Sequence, residues 1–321
     1  MSWQPSLSWE LARERSQIIS KIRNFFNDRN VIEVETPLLC SGTITDIHID
    51  VFSTEYDSLS TIPSKKFLQT SPEFAMKRLL ASGYGDIYQI CKAFRNEGAG
   101  SHHNPEFTIL EWYRLGFDHF KLIDEVEALL QTILDAPEGV RISYQKVFKQ
   151  YTGIDPLATN TQQLKKIVHE AGLMSGWLES EEDLDTLLQF VFSEVVEKNF
   201  DFEVPYFVYD FPVTQASLAK VSNEDSRVAH RFECYYRGLE LANGFYELTD
   251  DVEQLNRFKL ENLQRIEAGF EGRPIDLKLI DALKSGLPQC SGVAVGIDRI
   301  IMLALNRNKI EDVITFSIKN A

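Results

Sequence analysis

A chain of 321 residues with 44% hydrophobic content is globular, and its length suits one large domain carrying insertions. Lysine and arginine number 33 against 48 aspartates and glutamates, a net charge of −15, which disfavours a large nucleic-acid footprint because such footprints neutralise phosphates with basic side chains. Cys40, Cys91, Cys234 and Cys290 lack paired spacing, which argues against a disulfide framework or a zinc site; no signal peptide, membrane span or membrane partner is expected, and the protein is expected to be cytoplasmic.

From Trp9 to Phe26, apolar residues recur at helical spacing, and Val31 to Pro37 reads as a strand ended by proline. Ile87 to Arg95 and Glu106 to Tyr113 are rich in strand formers. The loop between them carries Gly98, Gly100, Asn104 and Pro105, so a hairpin is expected. Strict alternation puts Phe107, Glu111 and Tyr113 on one face and Thr108, Leu110 and Trp112 on the other. The second set suits a core. The first mixes an acid with aromatics, which suits a ligand surface.

Helical periodicity over 117–134, 164–171 and 184–196 points to a helical insertion at about 116–200. Strand character returns at 205–213. Phe232 to Tyr236 and Leu239 to Ala242 then flank Arg237-Gly238, a two-residue turn. Pairing Tyr236 with Leu239 makes Glu233 and Glu240 diagonal neighbours on one face, about 7 Å apart. Such a pair suits a nucleotide-bound magnesium ion, and equally suits two exposed acids on an edge hairpin. Finally, Cys290 to Gly296 reads as a strand of small residues, followed by a glycine turn and a helix near Asp298.

Phe94-Arg95-Asn96-Glu97 with His103-Asn104-Pro105-Glu106-Phe107-Thr108 and Glu111-Trp112-Tyr113 resembles motif 2 of the class II aminoacyl-tRNA synthetases, most closely the lysyl enzymes. The stretch ending at Pro37 resembles motif 1, and Gly296-Ile297-Asp298-Arg299 resembles motif 3. The resemblance implies an α+β fold, an antiparallel sheet flanked by helices, in a single catalytic domain over 1–321 that dimerises through motif 1. The same motif 1 pattern also fits a core helix and an edge strand without a dimer.

The resemblance also implies roles. Arg95 would bind the α-phosphate of ATP and Arg299 the γ-phosphate, Phe107 would stack under adenine, and His103 would lie near the triphosphate. Arginine's planar fork of donors suits phosphate oxygens. Asn96, Glu97, Asn104, Leu241 and Gly296 complete the expected nucleotide set, with Glu233 and Glu240 holding Mg²⁺. Arg95, Glu240 and Arg299 are the expected catalytic residues. Glu73, in Ser71-Pro72-Glu73, and Glu111 would hold one substrate amine, and Glu247 with Tyr113 the distal amine. Asn243 would meet the substrate carboxylate, and Ala294 stands where lysyl-tRNA synthetases carry glycine.

Along nearly its whole length the chain resembles a stand-alone paralogue family, the elongation factor P (R)-β-lysine ligases, which join β-lysine to a lysine side chain of elongation factor P. The motif 1 helix begins near Trp9, so no anticodon-binding domain is expected, and tRNA is an unlikely partner. The alternatives are a lysyl-tRNA synthetase-like enzyme and a small-molecule amino-acid ligase.

Overall fold

The computed structural model describes residues 3–57 and 62–321. Helix α1 (Trp9–Asn27) starts where the Ser8 hydroxyl accepts from the Leu11 amide at 3.3 Å, and it buries Ile18, Ile22, Phe25 and Phe26. After it come β1 (Ile32–Glu33), β2 (Leu39–Cys40), β3 (Ser53–Tyr56), β4 (Ser64–Leu68) and α2 (Glu73–Ala81). Strands β5 (Ile87–Phe94) and β6 (Glu106–Leu115) form the expected hairpin, with Cys91 opposite Ile109.

The middle of the chain holds α3 (His119–Leu134), β7 (Val140–Ser143), α4 (Tyr144–Thr152), α5 (Thr161–Glu170), α6 (Gly176–Ser180) and α7 (Leu184–Val191). Then come β8 (Tyr206–Pro212), β9 (Val228–Tyr236) and β10 (Leu239–Tyr246), followed by α8 (Asp251–Glu267), α9 (Leu277–Gly286), β11 (Cys290–Gly296) and α10 (Ile297–Ala304).

Eight strands make one sheet in the order β1-β5-β6-β11-β10-β9-β8-β7, and β2-β4-β3 make a smaller antiparallel one. The large sheet is antiparallel through its centre and parallel at both outer joints, β1 with β5 and β7 with β8. It is therefore mixed rather than purely antiparallel. Only Ile32 and Glu33 of the expected 31–37 strand join the ladder.

One sheet face is packed. Leu110, Trp112, Val293 and Val295 meet Ile22 and Phe26 of α1, Leu122 and Val126 of α3, and Ile300 and Ile301 of α10 in a single apolar cluster. Trp112 also donates its indole N–H to buried Glu125 at 2.9 Å. That burial fixes which residues of β6 and β11 face the other way.

The expected insertion at about 116–200 needs correction. Helix α3 belongs to the main core, and β7 lengthens the main sheet. The separate cluster starts at Tyr144 and includes Phe148, Leu164, Leu187 and Val191, seated on Val208 and Tyr235. Periodicity identifies a helix but not the surface it packs on, and a four-residue strand is too short to stand out from its helical neighbours.

Candidate active site

The open face of the sheet carries a transverse row. Glu233 of β9 lies opposite Asn243 of β10, Asn243 opposite Ala294 of β11, and Ala294 opposite Glu111 of β6. Residues directly opposite in an antiparallel ladder share a face. Four residues expected at the site therefore line up across four strands.

The row depends on an irregularity. Tyr235 pairs with Glu240 as expected, but the register then shifts by one residue between Glu240 and Ala242, a bulge at Leu241. Strict alternation would leave Glu240 and Asn243, three residues apart, on opposite faces. One extra residue in the strand brings both onto the same side. The Arg237-Gly238 turn that sets the starting register has positive φ at both positions, 51° and 70°, the geometry a two-residue hairpin favours.

Above the row lies a cavity of about 830 Å³. At one end it is lined by Arg95, Glu97, His103, Phe107, Gly296 and Arg299, with Asn104 also on its wall. The Arg95 guanidinium lies 5.4 Å from the centre of the Phe107 ring. Arg299 donates to the Glu240 carbonyl at 2.6 Å and lies 2.8 Å from His103 Nε2. Burial and then the Arg299 charge lower the His103 pKa, so the imidazole is neutral and Nε2 accepts.

Asn104 is committed elsewhere. Its amide donates to the Glu106 carbonyl at 2.6 Å and its Oδ1 accepts from the Ile318 amide at 3.0 Å, while Ile310 N–H donates to Ser101 at 2.7 Å. These bonds pin the hairpin loop to the segment after α10. Asn96 does not line the cavity; its backbone N–H reaches the Asp50 carbonyl at 2.9 Å.

Glu233, Glu240, Leu241 and Asn243 line the middle of the cavity. Glu233 is buried and accepts from Arg231, the Tyr235 hydroxyl and Asn243, the last at 3.0 Å. Glu240 lacks such a set. Burial and then the Glu233 charge raise its pKa, partly opposed by Arg299. Glu197, in the turn after α7, joins the group: burial, then Glu240 and Glu233, push it up to about 7. Acids crowded in this way leave room for a cation.

At the other end, Ser71, Pro72, Glu73 and Ala294 line the wall, and Glu111, Tyr113 and Glu247 sit behind it. Glu111 accepts from the Ser71 hydroxyl at 2.8 Å and the Tyr113 hydroxyl at 2.7 Å. The sequence reading missed Lys77, 1% exposed, whose ammonium lies 2.7 Å from Glu73 and 2.5 Å from Glu247. Burial alone would depress the Lys77 pKa, but Glu247 and then Glu73 reverse this and raise it, so it stays charged.

Three carboxylates around one ammonium leave an excess of negative charge in a dry site. Burial, and then Glu73, push Glu111 up to about 8, so the cluster holds a proton at neutral pH. Gly292 makes this packing possible: a Cβ there would overlap the Tyr113 ring and come within 2.6 Å of Glu247 Oε1.

The family described as tRNA synthetases class II (D, K and N) matches residues 5–320. Among curated proteins, the chain is 52% identical over 321 residues to a protein of Pasteurella multocida named Elongation factor P--(R)-beta-lysine ligase, covering 100% of this chain and 98% of that one. Proteins of the same name from Vibrio parahaemolyticus and Haemophilus influenzae are each 53% identical, over 98% and 99% of this chain and 98% of theirs.

Proposed function

Because the chain belongs to the class II tRNA synthetases of the D, K and N group, we propose that it activates (R)-β-lysine with ATP and transfers it to a lysine side chain of elongation factor P. The carrying observation is the cavity itself, with two guanidiniums at one end and, at the other, Glu73 on the wall with Glu111 and Glu247 behind it. Relatives named for this activity match along the full length.

The substrate carboxylate attacks the α-phosphorus of ATP, forming a mixed anhydride and releasing pyrophosphate. Such a step needs in-line positioning and charge stabilisation rather than an enzyme nucleophile. Arg95 holds the α-phosphate and Arg299 the γ-phosphate, with His103 accepting from Arg299 and fixing its fork. Phe107 stacks on adenine. Leu241 and Gly296 present backbone beside the nucleotide, and Glu97 lies at the rim.

Glu233 and Glu240 fit Mg²⁺, since two crowded acids facing the phosphates otherwise repel each other. When bound, the ion offsets charge on the phosphate oxygens. At the far end, Asn243 orients the substrate carboxylate. Glu73 and Glu111 take one substrate ammonium, and Glu247 with Tyr113 takes the other. A substrate ammonium entering beside Glu111 displaces the shared proton. In the second step the acceptor amine attacks the acyl carbon of the anhydride and AMP leaves.

Ile32 on the edge strand β1, with Leu38 and Leu39 beyond it, lies exposed, and this surface suits a homodimer. Among the described residues no helix is long and apolar enough to cross a membrane. We place the enzyme in the cytoplasm with its protein acceptor, and the net charge of −15 disfavours tRNA.

The test is intact-mass analysis of elongation factor P after incubation with the enzyme, ATP, Mg²⁺ and either lysine isomer. A lysyl-sized gain that is larger with β-lysine is expected. No gain on the factor, or acylation of tRNA instead, overturns the reading.

A further inference from the structure

Away from the cavity, where the first turn of α3 meets β8 and β9, three potential metal ligands converge. His119, Asp210 and His230 each offer one ligand atom, and these atoms lie within 4.8 Å of one another. None of the three lines the cavity. His119 is 3% exposed, and both of its ring nitrogens lack a hydrogen-bond partner. Buried polar atoms in folded proteins are nearly always satisfied, so an imbalance of this kind calls for an explanation.

A metal bond at Nε2 would account for one of these two nitrogens. His119 Nε2 is 3.6 Å from Asp210 Oδ1, and His230 Nδ1 is 3.2 Å from the same oxygen. Ligand atoms around a tetrahedral ion with bonds of about 2.0–2.1 Å lie about 3.4 Å apart. Both separations bracket that edge. The two imidazole rings stack with centroids 4.6 Å apart, so both would turn about their side-chain bonds to aim a ring nitrogen at a common ion.

The backbone contributes as well. Asp210 has φ of 56°, a left-handed conformation unusual for a residue with a side chain, at the register shift between Tyr209 and Phe211. Bulges commonly re-aim a side chain at a site. Here the extra residue lies on β9, where His230 and Arg231 together stand opposite Asp210, so the irregularity sets the carboxylate beside one of the imidazoles.

We propose that His119, Asp210 and His230 bind one zinc ion, or a similar late first-row divalent cation, with water in the fourth position. Two imidazoles and a carboxylate suit zinc, whereas Mg²⁺ prefers an all-oxygen shell. Such an ion would tie α3, a helix of the main core, to the strands on which the cluster from Tyr144 onward is seated. Cysteine spacing gave no hint of it, because none of its ligands is a cysteine and they are spread over 111 positions of the chain, from 119 to 230.

The test is zinc titration of the intact protein against a chromophoric competitor, in excess Mg²⁺ to mask the acids of the cavity. One saturable equivalent is expected, together with a rise in melting temperature on zinc addition. Binding should weaken at least tenfold, and the thermal shift should vanish, in both His230→Ala and Asp210→Asn. Asp210→Asn conserves shape and keeps the test valid if the histidine variant folds poorly. Cobalt substitution should give the visible absorption of a tetrahedral nitrogen and oxygen site. Absence of saturable zinc binding, or binding unchanged in Asp210→Asn, overturns the proposal.

Discussion

At the nucleotide end of the cavity, Arg95 and Arg299 pair with no carboxylate among the described residues. At the amine end, Lys77 is locked between Glu73 and Glu247 while Glu111 is held by Ser71 and Tyr113. The first end keeps its charges available, with solvent and a neutral histidine as company. The second already pairs its one ammonium before any ligand arrives and keeps an excess of carboxylate. Electrostatic preorganisation thus takes two forms here: donors left free for a polyanion, and a closed network whose residual negative charge suits a cation.

The largest effect should come from breaking the closed end. Lys77→Met leaves buried Glu247 and half-buried Glu73 without their counter-ion, and unpairing a buried charge typically costs about 3–5 kcal/mol. Chemical denaturation should show a loss of that size. Adding Glu247→Gln should recover part of it, because the double variant carries one fewer uncompensated charge. Full additivity of the two changes would contradict a shared network.

Arg299→Ala probes the free end. ATP–pyrophosphate exchange should fall by about 10² to 10³ in kcat/KM, the size of losing one donor to developing charge. Its melting temperature should move little, because among the described residues Arg299 hydrogen-bonds only to one backbone carbonyl and to His103. A large fall in stability would erase the distinction between the two ends.

Ala294→Gly sharpens the contrast at the boundary between them. The methyl stands between Asn243 and Glu111 in the transverse row, where one carbon in a tight pocket shifts preference by about 1–3 kcal/mol. Activation of α-lysine should improve relative to β-lysine. Unchanged relative rates would exclude Ala294 as a selector.

The smallest effect is in pH dependence. Glu111, pushed up to about 8 by burial and then Glu73, is protonated below that pH, and an ammonium substrate prefers the carboxylate. The KM for β-lysine should therefore fall as pH rises through about 8, with the KM for ATP unaffected by this group. The sign for stability is the reverse. The folded state retains a proton that the unfolded chain releases in the ordinary carboxylate range, so this group's contribution declines as pH rises from there to about 8.

Much of this was readable from the sequence. The β5–β6 hairpin, with Leu110 and Trp112 turned to the core, follows from strand formers, turn residues and alternation. So does the Arg237-Gly238 hairpin. The bulge at Leu241 was not readable, since leucine carries no bulge signal and strict alternation alone would put Glu240 and Asn243 on opposite faces. Lys77 was missed although its spacing of four from Glu73 on a helix is a recognisable pairing pattern. Glu197 and the partners of α3 come together only through tertiary packing, which local periodicity does not encode.

The bonds from Asn104 to Ile318 and from Ser101 to Ile310 join segments far apart in the chain, 214 residues in the first case. During synthesis, the hairpin bearing Arg95 and Phe107 emerges long before the backbone that anchors its loop. A ribosome-bound precursor should therefore be incompetent for nucleotide capture until translation has passed residue 318, which makes tight ATP retention a late checkpoint of maturation.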